Sequence, residues 1–266
     1  LAKKLGDASP SIRLVESQLN KVAQNTPAAN RLPILLAEFY RLEGNNVKAI
    51  ELFEQANTDQ PAPYWKSQVL AYIATEQGAK AQQLIERWVE LAPNDPTAII
   101  GKLSVLKYQN QVKDGLELSS RYVNELGGKR LDIKVLHAYF LIRNNKAKDA
   151  QAILKELPNN MQEAPMVAGL YGQILFGEQK SDQALPKLTA AYNDKPDVMN
   201  TQYVYQTLRR IKSEQAADQF LAKHVNKNSK DEVSTLILAN RLISSDPEQA
   251  IKLFTRVVAL NPNNPV

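Results

Sequence analysis

The residue types that could carry out acid–base or metal chemistry are few in this sequence and lie far apart. The 266 residues include no cysteine and two histidines, His137 and His224. The lack of cysteine excludes disulfides, thiolate metal sites and a cysteine nucleophile. Neither histidine belongs to a recognisable set of nucleophile, base and orienting group. We therefore expect both histidines to serve packing or the surface, and we predict no catalytic site, no metal site and no cofactor.

Two further patterns could bind a ligand but have better structural explanations. Residues 126–129, Leu-Gly-Gly-Lys, are similar to a phosphate-binding loop but lack its upstream glycine, its following Ser or Thr and its preceding strand. A helix C-cap explains them better. The acidic pair Asp231-Glu232 comes just before a predicted helix, where capping and the helix dipole explain it.

The elements that would position any site are repeated helices. A small residue followed three and four positions later by mostly apolar residues recurs at steps of 32 to 35 residues. These anchors are Ala49, Ala81, Gly115, Ala150, Ala184, Ala217 and Ala250. A near-constant period in this range is typical of stacked helix-turn-helix units, each too small to bury its own apolar face. The sequence therefore predicts an all-α repeat protein.

Turns rich in Gly, Asn and Lys before each anchor, and prolines between the units, divide the chain into helix pairs. The predicted first helices are 28–43, 62–76, 95–109, 130–143, 162–176, 197–211 and 230–243. The predicted second helices are 46–58, 79–91, 112–126, 146–157, 181–193, 214–226 and 247–259. A further helix is expected at 11–25, as the second half of an earlier repeat.

The spacing and identities together resemble the tetratricopeptide repeat (TPR) family. The matching small residues and prolines are Ala37, Ala138, Gly172, Ala56, Ala191, Pro61, Pro93, Pro196 and Pro262. Bulkier residues take the place of the small ones at Val69, Leu103, Tyr205, Leu238, Trp88, Tyr122, His224 and Val257. Larger side chains at these positions are expected to alter packing locally.

The resemblance implies a right-handed superhelical solenoid of antiparallel helix pairs, forming a single TPR-like domain over 1–266. The expected units are a half repeat at 1–26, repeats at 27–60, 61–93, 94–128, 129–160, 161–195, 196–228 and 229–262, and the start of a truncated repeat at 263–266. The chain looks like a piece of a longer bacterial array, similar to the TPR lipoprotein associated with exosortase and PEP-CTERM sorting. That resemblance implies the periplasm or envelope, with the cytoplasm as the alternative, and membrane anchoring through a preceding segment.

The distribution of charge and the hydropathy of the chain narrow the classes of molecule or membrane with which it could associate. The chain has 33 basic and 28 acidic residues, and its longest basic runs are pairs. Because this mixed distribution does not concentrate positive charge, nucleic acid is an unlikely partner. No segment approaches the roughly 18 uninterrupted apolar residues of a membrane-spanning helix.

In the TPR family the first helices line the inner, concave surface, and its ligand-facing positions can be projected onto this chain. They give Arg31, Glu38, Arg41, Lys66, Lys107, Tyr108, Tyr139, Arg143, Gln173, Phe176, Gln206, Arg209 and Arg210. Arg, Gln and aromatic residues suit an extended peptide. The resemblance therefore implies a non-enzymatic scaffold that binds a protein or extended peptide of unknown identity on its concave face. It also suggests a role in bacterial envelope export or in exopolysaccharide or protein sorting.

Two alternatives remain open at the level of sequence. The projected residues could be ordinary exposed helix positions, because interface composition is only weakly distinctive. Alternatively, the chain could bind an anionic polymer, either polysaccharide or nucleic acid. The cations available for that are Arg41, Lys66, Lys107, Arg143, Arg209 and Arg210.

Overall fold

A computed structural model describes residues 9–19, 21, 27–56, 63–125 and 130–260. These residues form sixteen helices and no strand. The helices are α1 (Ser9–Leu19), α2 (Pro27–Leu42), α3 (Asn46–Gln55), α4 (Trp65–Ala74), α5 (Gly78–Leu91), α6 (Pro96–Tyr108), α7 (Val112–Glu125), α8 (Leu131–Arg143), α9 (Ala147–Lys155), α10 (Asn159–Gln162), α11 (Pro165–Gly177), α12 (Ser181–Asp194), α13 (Val198–Ile211), α14 (Glu214–Lys227), α15 (Glu232–Leu242) and α16 (Pro247–Leu260). The predicted cap at 126–129 and the start of a truncated repeat at 263–266 lie outside the described residues.

The predicted helix pairs match the observed helices closely. All fourteen first and second helices are present, with ends that agree within three residues. The earlier helix, expected at 11–25, is α1 and ends at Leu19. One element was not predicted: α10, a single turn between α9 and α11, in which Gln162 donates a hydrogen bond from Nε2 to the Leu157 carbonyl at 2.7 Å. Four residues are too few to show helical periodicity.

The chain divides into two compact units, Leu1–Phe140 and Leu141–Val266, with the boundary inside α8. In the first unit, α2 packs against α3 and α4, and α4 packs against α5 and α6. In the second unit, α11 packs against α12 and α13, and α13 packs against α14 and α15. Each of these four first helices thus contacts its own second helix and the next first helix, as expected for stacked repeats.

The anchors lie in the core, as their small size requires. Ala49, Ala81, Ala150, Ala184 and Ala217 have no exposed surface. This burial explains why the pattern repeats: a larger residue would separate two helices that must approach closely.

Where the family pattern has a small residue, a bulky replacement is buried and its neighbours make room. Trp88 is 2% exposed in α5. The glycine that faces it on α6, Gly101, would place an added Cβ 2.5 Å from Cδ1 of Ile85 and 3.8 Å from the Trp88 ring. The change in local packing that the sequence predicts is therefore compensated: the bulky Trp88 on α5 is accommodated by a glycine on the adjacent helix α6.

Two of these bulky residues, Trp88 and His224, also form hydrogen bonds that link one helix pair to the next. Trp88 donates from Nε1 to Oδ2 of Asp95 at 3.1 Å, and Asp95 caps α6 by accepting from the Thr97 amide at 2.8 Å. His224 holds the equivalent position in α14, with Nε2 2.8 Å from Oδ2 of Asp231, the residue that caps α15. Each ring N–H thereby orients the carboxylate that starts the following helix.

Five turns within helix pairs share one backbone conformation. The residue two positions after the first helix has a positive φ, namely Gly44 (86°), Glu76 (61°), Asn110 (56°), Asn145 (60°) and Gln179 (63°). The next amide in each turn bonds back to the helix, as from Gln77 to the Tyr72 carbonyl at 2.8 Å. This is the left-handed C-cap geometry that glycine favours, yet four of the five residues are not glycine.

Candidate functional site

The predicted binding residues of α2 and α4 are spread over the surface of the first unit. Arg31 is exposed and Lys66 is half-buried. Arg41 forms an ion pair with Glu38 through Nε and Oε2 at 3.1 Å. This pair lies on one helix, so part of the positive charge predicted for binding is already neutralised.

Farther along the first unit, the predicted residues pack against one another. The Lys107 ammonium lies 4.5 Å from the centre of the Tyr139 ring, and Tyr139 is buried with its ring edge-on to Phe140. Tyr108 is 42% exposed and covers Gly78, where an added Cβ would lie 2.8 Å from its ring. Tyr139 therefore offers little surface to a partner, whereas Tyr108 remains accessible.

The first unit also has a cleft of about 450 Å³ that contains none of the predicted residues. Inside it, Tyr72 donates its hydroxyl proton to Oε1 of Glu54 at 2.9 Å, and the Lys80 ammonium donates to the same oxygen at 2.9 Å. Burial and the bond to Glu54 raise the pKa of the Tyr72 phenol to about 12. The Lys80 hydrogen bond holds the pKa of Glu54 below its ordinary value. These groups satisfy one another and form a structural network.

The second unit brings four predicted residues into one groove of about 850 Å³ between the end of α8, the start of α9, α11 and α13. Its walls are formed by Ile142, Arg143, Asn145, Lys146, Ala147, Lys148, Asp149, Gln173, Ile174, Phe176, Gly177, Glu178, Met199, Gln202, Tyr203 and Gln206. The four predicted members are Arg143, Gln173, Phe176 and Gln206.

One wall of the groove is aromatic and held in place. The Phe176 and Tyr203 rings meet edge to face, with centroids 5.6 Å apart. The Arg210 guanidinium lies 3.7 Å from the centre of the Phe176 ring and donates from Nη1 to the Phe176 carbonyl at 3.1 Å. Arg210 thus satisfies a carbonyl at the end of α11 and fixes the ring through a cation–π contact.

A buried acceptor without a partner lies in the same groove. Gln173 is 5% exposed, and within the described part of the chain its Oε1 has no hydrogen-bond partner. An unsatisfied buried polar group costs about 1–3 kcal/mol. This oxygen has almost no accessible surface, so a donor on a ligand reaches it only after the Gln173 amide turns towards the groove, and the new bond would then recover part of this cost.

The rim of the groove at the start of α9 is basic. Lys146 and Lys148 are exposed, and neither forms an ion pair with another described residue. Of the two acidic residues in the walls, Glu178 is paired with Lys180 at 2.7 Å. Asp149 lies in the first turn of α9, where the helix dipole stabilises its charge.

Arg209 does not line this groove. Its Nη2 lies 2.5 Å from Oε1 of Glu214, and Arg241 also bonds to Glu214. Hydrogen bonds from Arg209 and from Arg241, the first being the larger cause, hold the pKa of the Glu214 carboxyl below its ordinary value. Of the predicted residues at the end of α13, Gln206 reaches the groove and Arg210 supports its wall.

Sequence reasoning missed several residues of the groove. Met199 and Tyr203 lie on α13 one turn apart and extend the stripe that includes Gln206. The i, i+4, i+7 spacing of these three residues was the available signal. Lys146 and Lys148 lie in the turn and first turn of a second helix, outside the positions projected from the family.

Both histidines lie in buried hydrogen-bond networks. His137 has Nδ1 2.8 Å from Oγ of Ser119, and both residues are buried. His224 is fully buried and has Nδ1 3.2 Å from the Tyr192 hydroxyl. Within 9–19, 21, 27–56, 63–125 and 130–260, no group of His, Asp and Glu could hold a metal ion, and no helix is long and apolar enough to cross a membrane.

Solved structures with a similar fold are TPR proteins. The APC/C hetero-tetramer Cut9–Hcn1 matches with a TM-score of 0.67 and 15% identity, over 95% of this chain and 50% of that one. Yeast Tom70 matches with a TM-score of 0.52 and 19% identity, over 95% and 55%. A tetratricopeptide repeat protein from Parabacteroides merdae matches with a TM-score of 0.54 and 10% identity, over 88% and 94%. The chain spans about half the length of the first two.

These likenesses establish the fold class. The chain is all-α and has the TPR-like helical solenoid fold of antiparallel helix pairs, as the sequence predicts. No family model matches the sequence, and no curated protein is similar to it.

Proposed function

We propose that the chain is a non-catalytic scaffold that binds a protein or an extended peptide in the groove between α11 and α13. The observation that carries this proposal is the unpaired, buried Oε1 of Gln173. An extended peptide presents backbone N–H groups at regular intervals, and these are the donors that such an acceptor lacks once the Gln173 amide turns towards the groove. The exposed amide of Gln206 supplies a further polar contact in the same groove.

The aromatic wall supports the same function. Phe176 is already oriented by Arg210 and Tyr203 before any ligand arrives. Because this wall is already ordered, the protein loses less conformational entropy when a ligand binds. An apolar side chain of the peptide can pack there while its backbone faces Gln173.

The fold adds support by analogy. Cut9, whose fold is similar, was solved in a hetero-tetramer with Hcn1. The narrower hypothesis, that the chain belongs to a bacterial array in envelope export and PEP-CTERM sorting, stays a prediction from sequence resemblance.

Binding of an anionic polymer stays a prediction as well, and ion pairs within the described residues involve Arg41 and Arg209 among its six cations. Arg41 is paired with Glu38, and Arg209 with Glu214. Polymer binding through the remaining cations would weaken steeply with salt.

The test uses peptides selected from a random library on the wild-type chain, with affinities measured by fluorescence anisotropy. Gln173→Met removes the acceptor while keeping the side chain's length. We expect it to weaken binding at least about tenfold and to leave the free energy of unfolding unchanged or raise it by about 1 kcal/mol, because a buried unsatisfied group is lost. The matched control is Gln183→Met, an exposed position on α12 outside the groove.

Unchanged affinity in Gln173→Met would contradict the proposed site. Peptides that bind equally well to Gln206→Ala and Phe176→Ala would do the same, provided that circular dichroism confirms an intact fold. A selection that yields no peptide would contradict peptide binding itself.

A further inference from the structure

We infer that the groove selects an extended peptide segment in which acidic residues flank a bulky apolar side chain. This inference rests on the proposed function and specifies the chemistry of its partner. Three features of the groove carry it: the basic rim, the aromatic wall and the unpaired acceptor.

The rim supplies the preference for negative charge. Lys146 and Lys148 are exposed, and no described acidic residue pairs with them. They stand at the start of α9, where the helix dipole adds partial positive charge. Of the two carboxylates in the walls, Glu178 is paired with Lys180, and Asp149 lies in the first turn of α9, where the helix dipole stabilises its charge.

The aromatic wall supplies the preference for an apolar side chain. Met199, Phe176 and Tyr203 are half-buried and line the groove together with the buried Ile174. Burying apolar surface against such a wall is favourable. An extended peptide directs successive side chains to opposite sides, so one can face this wall while its neighbours face the lysines.

The buried acceptor favours a peptide over the charged groups of a polyanion. Phosphate and sulfate groups are acceptors and would gain nothing from Gln173, whereas each non-proline peptide unit has an N–H. The anionic groups of a polyanion would contact the lysines and leave this acceptor unpaired.

The experiment compares three labelled peptides of about ten residues that share a central Leu-Phe pair and differ only in their flanks. One set of flanks is Asp and Glu, the second Asn and Gln, and the third Lys and Arg. We expect the acidic peptide to bind the full chain at least about tenfold more tightly than the amide peptide at low ionic strength. The advantage should shrink with added salt, because the lysines are exposed.

Charge reversal tests the rim directly. The double variant Lys146→Glu, Lys148→Glu should lose the preference for the acidic peptide and gain at least about tenfold for the basic one. The matched control is Lys155→Glu, an exposed lysine on the same helix that does not line the groove. It should retain the wild-type order of affinities.

The outcomes separate this inference from the proposed function. Equal affinities for the acidic and amide peptides, both reduced by Gln173→Met, would overturn the acidic preference and leave peptide binding in place. If none of the three peptides depends on Gln173, the proposed function fails with it. If single-stranded DNA of equal charge displaces the acidic peptide and its own binding is unaffected by Gln173→Met, the site is a polyanion site and the inference is wrong.

Discussion

Gly115 and Phe140 share a space that has no room for one more carbon atom. A Cβ at Gly115 in α7 would lie 2.1 Å from Cε1 and 2.3 Å from Cζ of Phe140 in α8. Phe140 is fully buried, so its ring has no free volume into which it could move. The glycine at this anchor therefore permits a large aromatic residue in the neighbouring helix.

Gly115→Ala should destabilise the protein even though alanine is the better helix former. The clash should cost about 1–3 kcal/mol from overpacking, and the gain in helix propensity offsets at most about 1 kcal/mol. Urea denaturation followed by circular dichroism measures the difference. Phe140→Leu in the same chain should recover much of the loss, and a strictly additive double variant would contradict the shared-space explanation.

His224→Phe should weaken the attachment of α15. The phenyl ring fills similar volume, but Oδ2 of Asp231 and the Tyr192 hydroxyl both lose the imidazole that they contact. We expect a loss of about 1–3 kcal/mol in the free energy of unfolding. His224→Gln retains polar atoms and should lose less. Equal stability of His224→Phe and the wild type would show that the network contributes nothing.

Trp88→Phe is the parallel variant at the equivalent position of the first unit. It removes the Nε1 donor to Asp95 and leaves the cap of α6 intact. Asp95 is half-buried and retains its bond to Thr97, so the lost hydrogen bond should cost about 1 kcal/mol. Trp88 is 2% exposed, so the smaller phenyl ring also leaves a cavity, and we expect a total loss of about 2–3 kcal/mol. Chemical denaturation measures this difference, and a loss below about 1 kcal/mol would contradict the cavity contribution.

Glu76→Gly should stabilise the protein. Glu76 is exposed and has a φ of 61°, a conformation that glycine adopts without strain. We expect a gain of about 0.5 kcal/mol, because relief of strain is partly offset by the larger entropy of the unfolded chain. Asn110→Gly should gain less, since asparagine tolerates this conformation. Gln77→Gly, one residue away with a φ of −87°, is the control that should lose stability in the same thermal unfolding assay.

The free energy of unfolding should fall at high pH because the phenol of Tyr72 ionises there. Its folded-state pKa is about 12, raised from 10.0 by burial and by its bond to Glu54. A raised pKa stabilises the fold fully below pH 10, and this contribution is lost as the pH rises from 10 towards 12. Tyr72→Phe should flatten the decline in the free energy of unfolding over that range. An ultraviolet titration in which all tyrosines ionise near pH 10 would contradict it.

The helix pairs could be predicted because buried anchors and prolines recur at nearly fixed distances. Ala81 and Pro93 determine the register of α5, and the bulky Trp88 between them does not disturb it. The groove could be predicted only in part. Gln173 and Phe176 follow from positions on a first helix, but Lys146 belongs to a turn whose direction depends on the left-handed Asn145.

Exposure was the least predictable property of the site. Tyr139 occupies a family ligand position, yet its ring packs on Phe140 and beneath Lys107. The sequence shows which residues share a helix face, but the volumes of neighbouring side chains decide which of them stay accessible. The unpaired oxygen of Gln173 likewise depends on which donors are absent nearby, and no local pattern records that.

The single turn α10 identifies where this protein can accept foreign sequence. Residues 156–164 join the short α9 to α11, and Asn159 and Asn160 within this junction are exposed. The turns inside helix pairs do not tolerate inserted residues in this way, because a left-handed residue such as Gln179 must stand at a fixed distance from the helix end. An affinity tag or fluorescent reporter inserted between Asn159 and Asn160 would therefore leave the stacked helices in register.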